Sequence, residues 1–74
     1  MEEEFQVIVL SNSGDFLLEK EEELHREEKG VEIENPWVIN EEEQAQKVQA
    51  NEIFIPYNSL ENIQYGSFDH EIIE

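Results

Sequence analysis

The eleven residues from Ile53 to Ile63 constrain the fold more than any other part of the chain. Ile53 and Ile55 alternate onto one face of a strand, and Pro56 lacks the N–H that a central strand needs. A turn follows, and the apolar pattern then resumes at the three-residue spacing of a 3₁₀ turn. The residues of this part are Asn58, Ser59, Leu60 and Ile63. The segment predicts a strand, one tight turn and a further strand.

The chain before this segment reads as strands separated by acidic turns. Residues 5–10 are rich in β-formers and apolar on both faces, so this strand lies either at the centre of a sheet or at a subunit contact. Residues 11–15 predict a turn in which Gly14 is free to take a positive φ. Residues 16–18 open a second strand. Residues 31–35 alternate between apolar and acidic side chains and predict a third.

Residues 19–29 are open to two interpretations. Their composition favours a helix, and oppositely charged residues such as Glu22 and Arg26 have helical spacing. As a helix, however, the segment would bury only one large apolar side chain, Leu24. We prefer a long bent strand that leads into a hairpin towards Gly30, because helix propensity gives way where tertiary pairing competes with it.

Two polar stretches fall outside the strand pattern. Residues 40–51 carry three consecutive glutamates near their start and one large hydrophobic side chain, Val48. We predict an acidic variable loop or an exposed extension of the flanking strands. Residues 66–74 are predicted to leave the last strand as a tail. The apolar side chains of this tail either cap the barrel or dock on a neighbouring subunit, unless the chain end frays.

Size and charge restrict the remaining possibilities. The 74 residues form a single domain without cysteine. Such a domain buries only about 60% of its unfolded surface, and small domains without staples often gain stability by oligomerising. Twenty acidic and four basic residues give a formal net charge of −16, which repels phosphate backbones and anionic lipids. The charge is either a solvated surface or a surface for a basic partner. The absence of a leader or an apolar span predicts a cytoplasmic protein without a membrane partner.

The sequence predicts neither catalysis nor a metal or cofactor. The chain has no cysteine nucleophile, and its one serine with a histidine close in sequence, Ser67 with His70, lies in the predicted tail. Runs of glutamate are usually solvated, whereas acid–base catalysis needs two carboxyl groups in different environments. Histidine and carboxylate residues alternate loosely around His25 and His70, a spacing that is only a weak indication of a metal site.

Taken in order, these elements resemble the Sm/Lsm family, the ring-forming relatives of the bacterial RNA chaperone Hfq. The resemblance covers roughly residues 5–66. Residues 7–18 and 31–36 look like the first family motif, an apolar strand, a turn with glycine, and a bent second strand followed by a third. Residues 52–65 look like the second motif, a fourth strand, a turn and a short fifth strand. Small acidic members of this kind occur in phage and environmental sequences.

The resemblance implies an all-β fold, a five-stranded, strongly bent SH3-like barrel of the Sm type without an N-terminal helix. It also implies a homo-oligomeric ring of about five to eight subunits, in which the fourth strand of one subunit pairs with the fifth of the next. In this chain the residues that we assign to these interface strands are Phe54, Ile55, Tyr57, Ile63 and Tyr65.

RNA is implied as a partner by the resemblance alone. Family members that bind RNA usually carry an Asp-x-x-Met-Asn stretch before the third strand and an Arg-Gly pair in the second motif. This chain has Arg-Glu-Glu-Lys-Gly-Val at residues 26–31 and Ile-Pro-Tyr-Asn at residues 55–58. Tyr57, as a stacking platform, and Asn58 are the nearest RNA-binding candidates. Packing and turn chemistry are the alternative roles of these two residues.

Three functions remain open at this point. The first is a ring-forming interaction or scaffold protein, with an electronegative surface for a basic partner. The second is an RNA-binding ring, and the third is a monomeric acidic decoy that occupies the nucleic-acid site of another protein. Bringing such acidic subunits together in a ring concentrates negative charge, and this costs free energy, most of all at low salt. The ring hypothesis therefore predicts assembly that strengthens with added salt or divalent ions.

Overall fold

Five bent strands make up the fold in the computed structural model, which describes residues 1–73. The bends divide the strands into eight segments: β1 (Glu2–Ser11), β2 (Gly14–Leu18), β3 (Leu24–Arg26), β4 (Gly30–Glu34), β5 (Trp37–Ile39), β6 (Ala45–Lys47), β7 (Glu52–Pro56) and β8 (Leu60–Ile73). One 3₁₀ turn, Glu21–Glu23, is the helical element of the described part. Within residues 1–73, no helix is sufficiently long and apolar to cross a membrane.

The segments form two sheets, and one of them closes on itself. β1 pairs antiparallel with β2 and β8, and β6 pairs with β5 and, in parallel, with the end of β8. The closed order is β1–β2–β5–β6–β8, and the other sheet has the order β3–β4–β7. The chain passes between the sheets at three bends, from β2 to β3, from β4 to β5 and from β6 to β7. The prediction of an all-β, strongly bent small barrel is confirmed.

The connection between β7 and β8 has the predicted form. Ile55 points inward and is buried, and Pro56 ends β7, which lies at the edge of its sheet. The Ser59 N–H donates to the Pro56 carbonyl at 2.9 Å, and the Leu60 N–H donates to the Tyr57 carbonyl at 3.2 Å. These two successive i→i+3 bonds make a single turn of 3₁₀ type, after which β8 begins.

The main hydrophobic cluster contains residues from both sheets. Alternate residues of β1, β2, β4 and β7 point into it, as the period-2 pattern of each strand predicts. Its fully or nearly fully buried members are Val7, Val9, Phe16, Leu18, Val31, Ile33 and Ile55.

A second cluster covers the other face of β1, which explains why this strand is apolar on both sides. Its buried members are Phe5, Leu17 and Ala45, against which Trp37 and three isoleucines pack. The Phe5 and Trp37 rings meet edge to face with centroids 5.6 Å apart, and the Lys47 Nζ atom lies 5.2 Å from the centre of the Trp37 ring. The sequence left β1 either at the centre of a sheet or at a subunit contact. In the structure it lies at the centre of the closed sheet, between β2 and β8.

The prediction of a strand within residues 19–29 is confirmed for residues 24–26, which form β3. The chain bends through the 3₁₀ turn and then pairs with β4, Leu24 opposite Ile33 and Arg26 opposite Val31. This pairing lets Leu24 pack against the main cluster, which supplies the tertiary contact that an isolated acidic helix would lack.

Within residues 40–51, the loop interpretation is wrong for residues 45–47, which form the strand β6. The Asn40 side chain accepts hydrogen bonds from the N–H groups of Glu42 and Gln44, at 3.0 and 2.8 Å, and shapes a tight turn. Ala45 then enters β6 and is completely buried in the second cluster. A three-residue strand with one small buried side chain has too little hydrophobic periodicity to be recognised in the sequence.

The prediction of a tail that leaves the last strand is also wrong over residues 66–73. These residues continue β8 and pair with the start of β1, with Phe68 opposite Phe5 and Glu71 opposite Glu2. Ile72 packs against the second cluster, so this part of the chain caps the barrel. Glu74, the last residue of the predicted tail, lies outside the described residues.

Candidate interaction site

One side of β7 has no partner strand within residues 1–73. β7 pairs with β4 alone, and the ladder continues into the turn, where the Tyr57 N–H donates to the Lys29 carbonyl at 3.1 Å. Ladder bonds alternate between the two sides of an antiparallel strand, so Ile55 also directs its backbone groups to β4. Glu52 and Phe54 therefore direct their N–H and C=O groups to the open side. We call this side of β7 the open edge.

Three large aromatic side chains remain exposed: Phe54 of β7, Tyr57 in the turn after β7, and Tyr65 of β8. Phe54 is 48% exposed, Tyr57 43% and Tyr65 47%. All three reach the hairpin between β3 and β4: the Phe54 ring lies over Gly30, and each tyrosine bonds to a hairpin residue. We call these three residues the aromatic corner. Exposed aromatic side chains gathered on one side of a small domain are typical of interaction surfaces.

Hydrogen bonds hold the two tyrosines of the aromatic corner in place. The Tyr57 hydroxyl donates to the Glu27 carbonyl at 2.8 Å, and the Arg26 Nη2 group donates to the Tyr65 hydroxyl at 3.1 Å. Arg26 and the exposed Lys29 are two of the four basic residues of the chain. Part of the small positive charge of this acidic protein therefore lies next to its exposed aromatic residues.

The outer face of the β3–β4–β7 sheet is acidic and includes the start of β7. His25 of β3 bonds through Nε2 to the Glu34 carboxylate of β4. Glu32 of β4 and Glu52 of β7 lie on the same face as diagonal neighbours across the ladder. The carboxyl group of Glu52, through its side-chain interaction and its charge, raises the pKa of Glu32 above its ordinary value. Burial and Glu27 add to the rise, and His25 opposes it.

Glu32→Gln is expected to raise the melting temperature at neutral pH. A raised pKa means that the fold favours protonated Glu32. This stabilisation is present below the ordinary glutamate pKa and is lost as the pH rises through the raised value. Glutamine keeps the side chain neutral at every pH, so the gain over the wild type grows as the pH rises above the ordinary glutamate pKa and through the raised value. Thermal unfolding followed by circular dichroism measures it. The exposed Glu22→Gln controls for the loss of one charge, and an equal gain in both variants would contradict the prediction.

The structure separates the predicted interface residues into two groups. Ile55 is only 1% exposed in the main cluster and Ile63 packs against that cluster, so both side chains stabilise the barrel of the single chain. Phe54, Tyr57 and Tyr65 are the members whose side chains are exposed. The predicted set of interface residues therefore mixes inward-pointing and outward-pointing side chains. The alternation of β7 already distinguishes the inward Ile55 from the outward Phe54.

Asn58, the other RNA-binding candidate, is exposed in the turn that follows Tyr57. Sequence patterns did not predict two neighbours of these residues, Arg26 beside Tyr65 and Lys29 beside Tyr57. They also did not predict that Glu32 and Glu52 are neighbours. The period-2 pattern places both glutamates on the outer faces of their strands, but only the register of β4 against β7 makes them neighbours.

The histidine clusters are arranged differently from what their sequence spacing suggests. His25 bonds to Glu34 on the neighbouring strand, while Ser67 donates to the Glu4 carboxylate and His70 Nδ1 lies 3.3 Å from the Glu43 carbonyl oxygen. Within residues 1–73, no group of three or more His, Cys, Asp or Glu side chains is placed to hold a metal ion.

Together, the open edge and the aromatic corner offer three kinds of contact to a partner. The open edge presents backbone donors and acceptors to an added strand. The aromatic corner adds apolar area, and Arg26 and Lys29 add positive charge. No protein-family model matches this chain, and neither does any curated protein or solved structure.

Proposed function

We propose that this chain is an interaction or scaffold protein that assembles with copies of itself into a ring. β7 of one copy pairs with the first half of β8 of the next. The observation that carries the proposal is the open edge of β7, flanked by the aromatic corner. The resemblance of residues 52–65 to the second Sm/Lsm motif supports the same pairing.

The first half of β8 offers the complementary edge. Residues 60–65 pair with β1 on one side, and β6 reaches only Ile72 and Ile73 at the far end of β8. A contact between two different edges is heterologous, so repeating it builds a ring when the rotation closes. Closure would satisfy the backbone groups of Glu52 and Phe54 and would cover aromatic area.

Charge sets the conditions under which the ring forms. Each copy carries a formal charge of −16, and the repulsion between copies decreases as salt screens it. Arg26 and Lys29, next to the aromatic corner, offset part of this repulsion if they face the acidic surface of the neighbouring copy. Assembly is therefore expected to strengthen from low to moderate salt.

Phe54→Ser is expected to abolish this assembly. We expect the wild type to have the mass of about five to eight protomers at moderate salt. The variant should have the mass of a monomer, because serine removes the exposed ring at the centre of the open edge. Light scattering coupled to size exclusion measures both masses, and circular dichroism checks that each protein is folded.

Ile73→Ser is the matched control, because Ile73 is also an exposed large hydrophobic residue but lies at the far end of β8. It should keep the assembly of the wild type. A wild type that stays monomeric at every salt concentration would rule out the ring, and the acidic decoy for a basic protein would then replace it.

RNA is a second candidate ligand, and one observation favours it. The Tyr57 N–H donates to the Lys29 carbonyl, and Asn58 is exposed in the same turn, so an exposed aromatic residue and an exposed amide adjoin a basic residue of the chain. Single strands bind by stacking on such rings and by contacts to their phosphates. Fluorescence anisotropy with short labelled RNA tests this function. We expect weak, salt-sensitive binding that Tyr57→Ala removes, and no binding by the wild type would exclude it.

A further inference from the structure

We infer that the open edge of β7 binds an extended basic segment of another protein as an added antiparallel strand. The segment has an apolar residue followed, two positions later, by lysine or arginine. It uses the same edge as the proposed ring but does not need the ring to form. A bound segment and a neighbouring copy of the chain therefore compete for β7.

The backbone of β7 supplies the hydrogen-bonding groups for strand addition. At its two ends the ladder uses the Asn51 carbonyl and the Tyr57 N–H, each in a bond to the β4 side. Bonds alternate between the two sides of an antiparallel strand, so Glu52 and Phe54 direct their backbone groups away from β4. A free edge of this kind pairs with an extended chain through main-chain bonds, and the neighbouring side chains select its sequence.

The two outward side chains of the open edge fix the order of residues in the segment. Phe54 and Glu52 are both exposed on the outer face of β7. In an antiparallel pair, residues directly opposite each other lie on one face and their side chains meet. An apolar residue therefore suits the position opposite Phe54, and a basic residue suits the position opposite Glu52. Because an antiparallel strand runs from the Pro56 end towards Glu52, the basic residue follows the apolar one.

Charge complementarity favours a basic segment over other extended chains. Glu34 lies directly opposite Glu52 in the ladder, and Glu32 lies opposite Phe54. Like charges on neighbouring strands destabilise a sheet, so a lysine or arginine beside Glu52 offsets this repulsion. The formal charge of −16 on the whole chain attracts the same segment from a distance. The competing strand of a neighbouring copy, residues 60–65, carries Glu61 and neither lysine nor arginine.

Salt should therefore act in opposite directions on the two occupants of the edge. Screening weakens the attraction between the acidic chain and a basic segment, whereas it reduces the repulsion between two acidic copies. We expect the segment to bind best at low salt, where the proposed ring is weakest.

The test uses the full chain and a fluorescent peptide of the sequence Thr-Thr-Val-Thr-Lys-Thr-Lys-Thr. Fluorescence anisotropy measures binding at low salt, at a dilution at which light scattering shows the chain to be a monomer. The same peptide with glutamate in place of both lysines should not bind. A third peptide is methylated on the backbone nitrogens of valine and both lysines. It keeps the charge but lacks the donors that face β7, so it should not bind either.

Two variants of the chain locate the binding site. Glu52→Lys reverses the charge at the open edge and should weaken binding of the unmodified peptide about tenfold. Glu22→Lys makes the same change of charge in the exposed 3₁₀ turn and should bind within about twofold of the wild type. Circular dichroism checks that both variants are folded.

The outcomes distinguish this inference from the proposed function. Equal binding of the methylated and unmodified peptides overturns the inference, because charge alone then holds the peptide. Equal weakening by Glu52→Lys and Glu22→Lys overturns it for the same reason. Failure of the monomeric wild type to bind the unmodified peptide also overturns it and leaves the ring intact. A wild type that binds the peptide through its backbone but never assembles supports the inference and rules out the ring.

Discussion

Phe5→Ala is expected to lower the free energy of unfolding by about 3–5 kcal/mol. Phe5 is completely buried, packs with Leu17 and Ala45, and meets the Trp37 ring edge to face. Alanine would leave a cavity in a cluster of only three buried residues, which has few neighbours able to fill it. A domain of this size has a total stability of about 4–11 kcal/mol, so the variant should lose a large fraction of its stability.

Urea unfolding at a protein concentration low enough to keep the chain monomeric measures this loss. Phe54→Ala is the control, because it removes the same ring from an exposed position and should cost less than about 1 kcal/mol. Similar losses in the two variants would mean that the second cluster contributes little. The closed sheet would then depend mainly on its hydrogen-bonded ladders.

Gly30→Ala has the second largest expected effect, a loss of about 2–3 kcal/mol, or a melting temperature about 10–20 °C lower. A Cβ atom at this position would lie 2.3 Å from the Ile55 carbonyl oxygen and 2.8 Å from the Pro56 Cα atom. Both are backbone atoms of β7, which has to move away from β4 to make room. The variant should therefore also weaken the proposed assembly, since it displaces the open edge.

Gly66→Ala provides the comparison for this result. There the nearest atom to an added Cβ is the tip of the Phe68 side chain at 3.1 Å, and a side chain moves more easily than backbone. We expect Gly66→Ala to cost less than about 1 kcal/mol. Differential scanning calorimetry of both variants measures the difference. Equal melting temperatures would show that β7 shifts without cost.

Local sequence rules predicted the parts of the fold that depend on neighbouring residues. The alternation of residues 31–35 fixed which side chains of β4 enter the core, and the chemistry of residues 56–59 fixed the turn before β8. The apolar residues on both faces of β1 indicated a central strand or a subunit contact. The alternation of β7 is also sufficient to predict that the Phe54 side chain is exposed. Phe54 is the centre of the proposed interaction site.

The sequence by itself therefore determined the all-β class, the tight turn before β8 and the inward face of β7, because strand period and turn chemistry act over a few residues. The tertiary structure alone decided that Phe5 meets Phe68, that Ala45 is buried and that Glu32 and Glu52 are neighbours. These contacts depend on register between distant strands. A shift of one residue would turn every side chain of a strand to the other face, and only the packing of the whole chain selects one register.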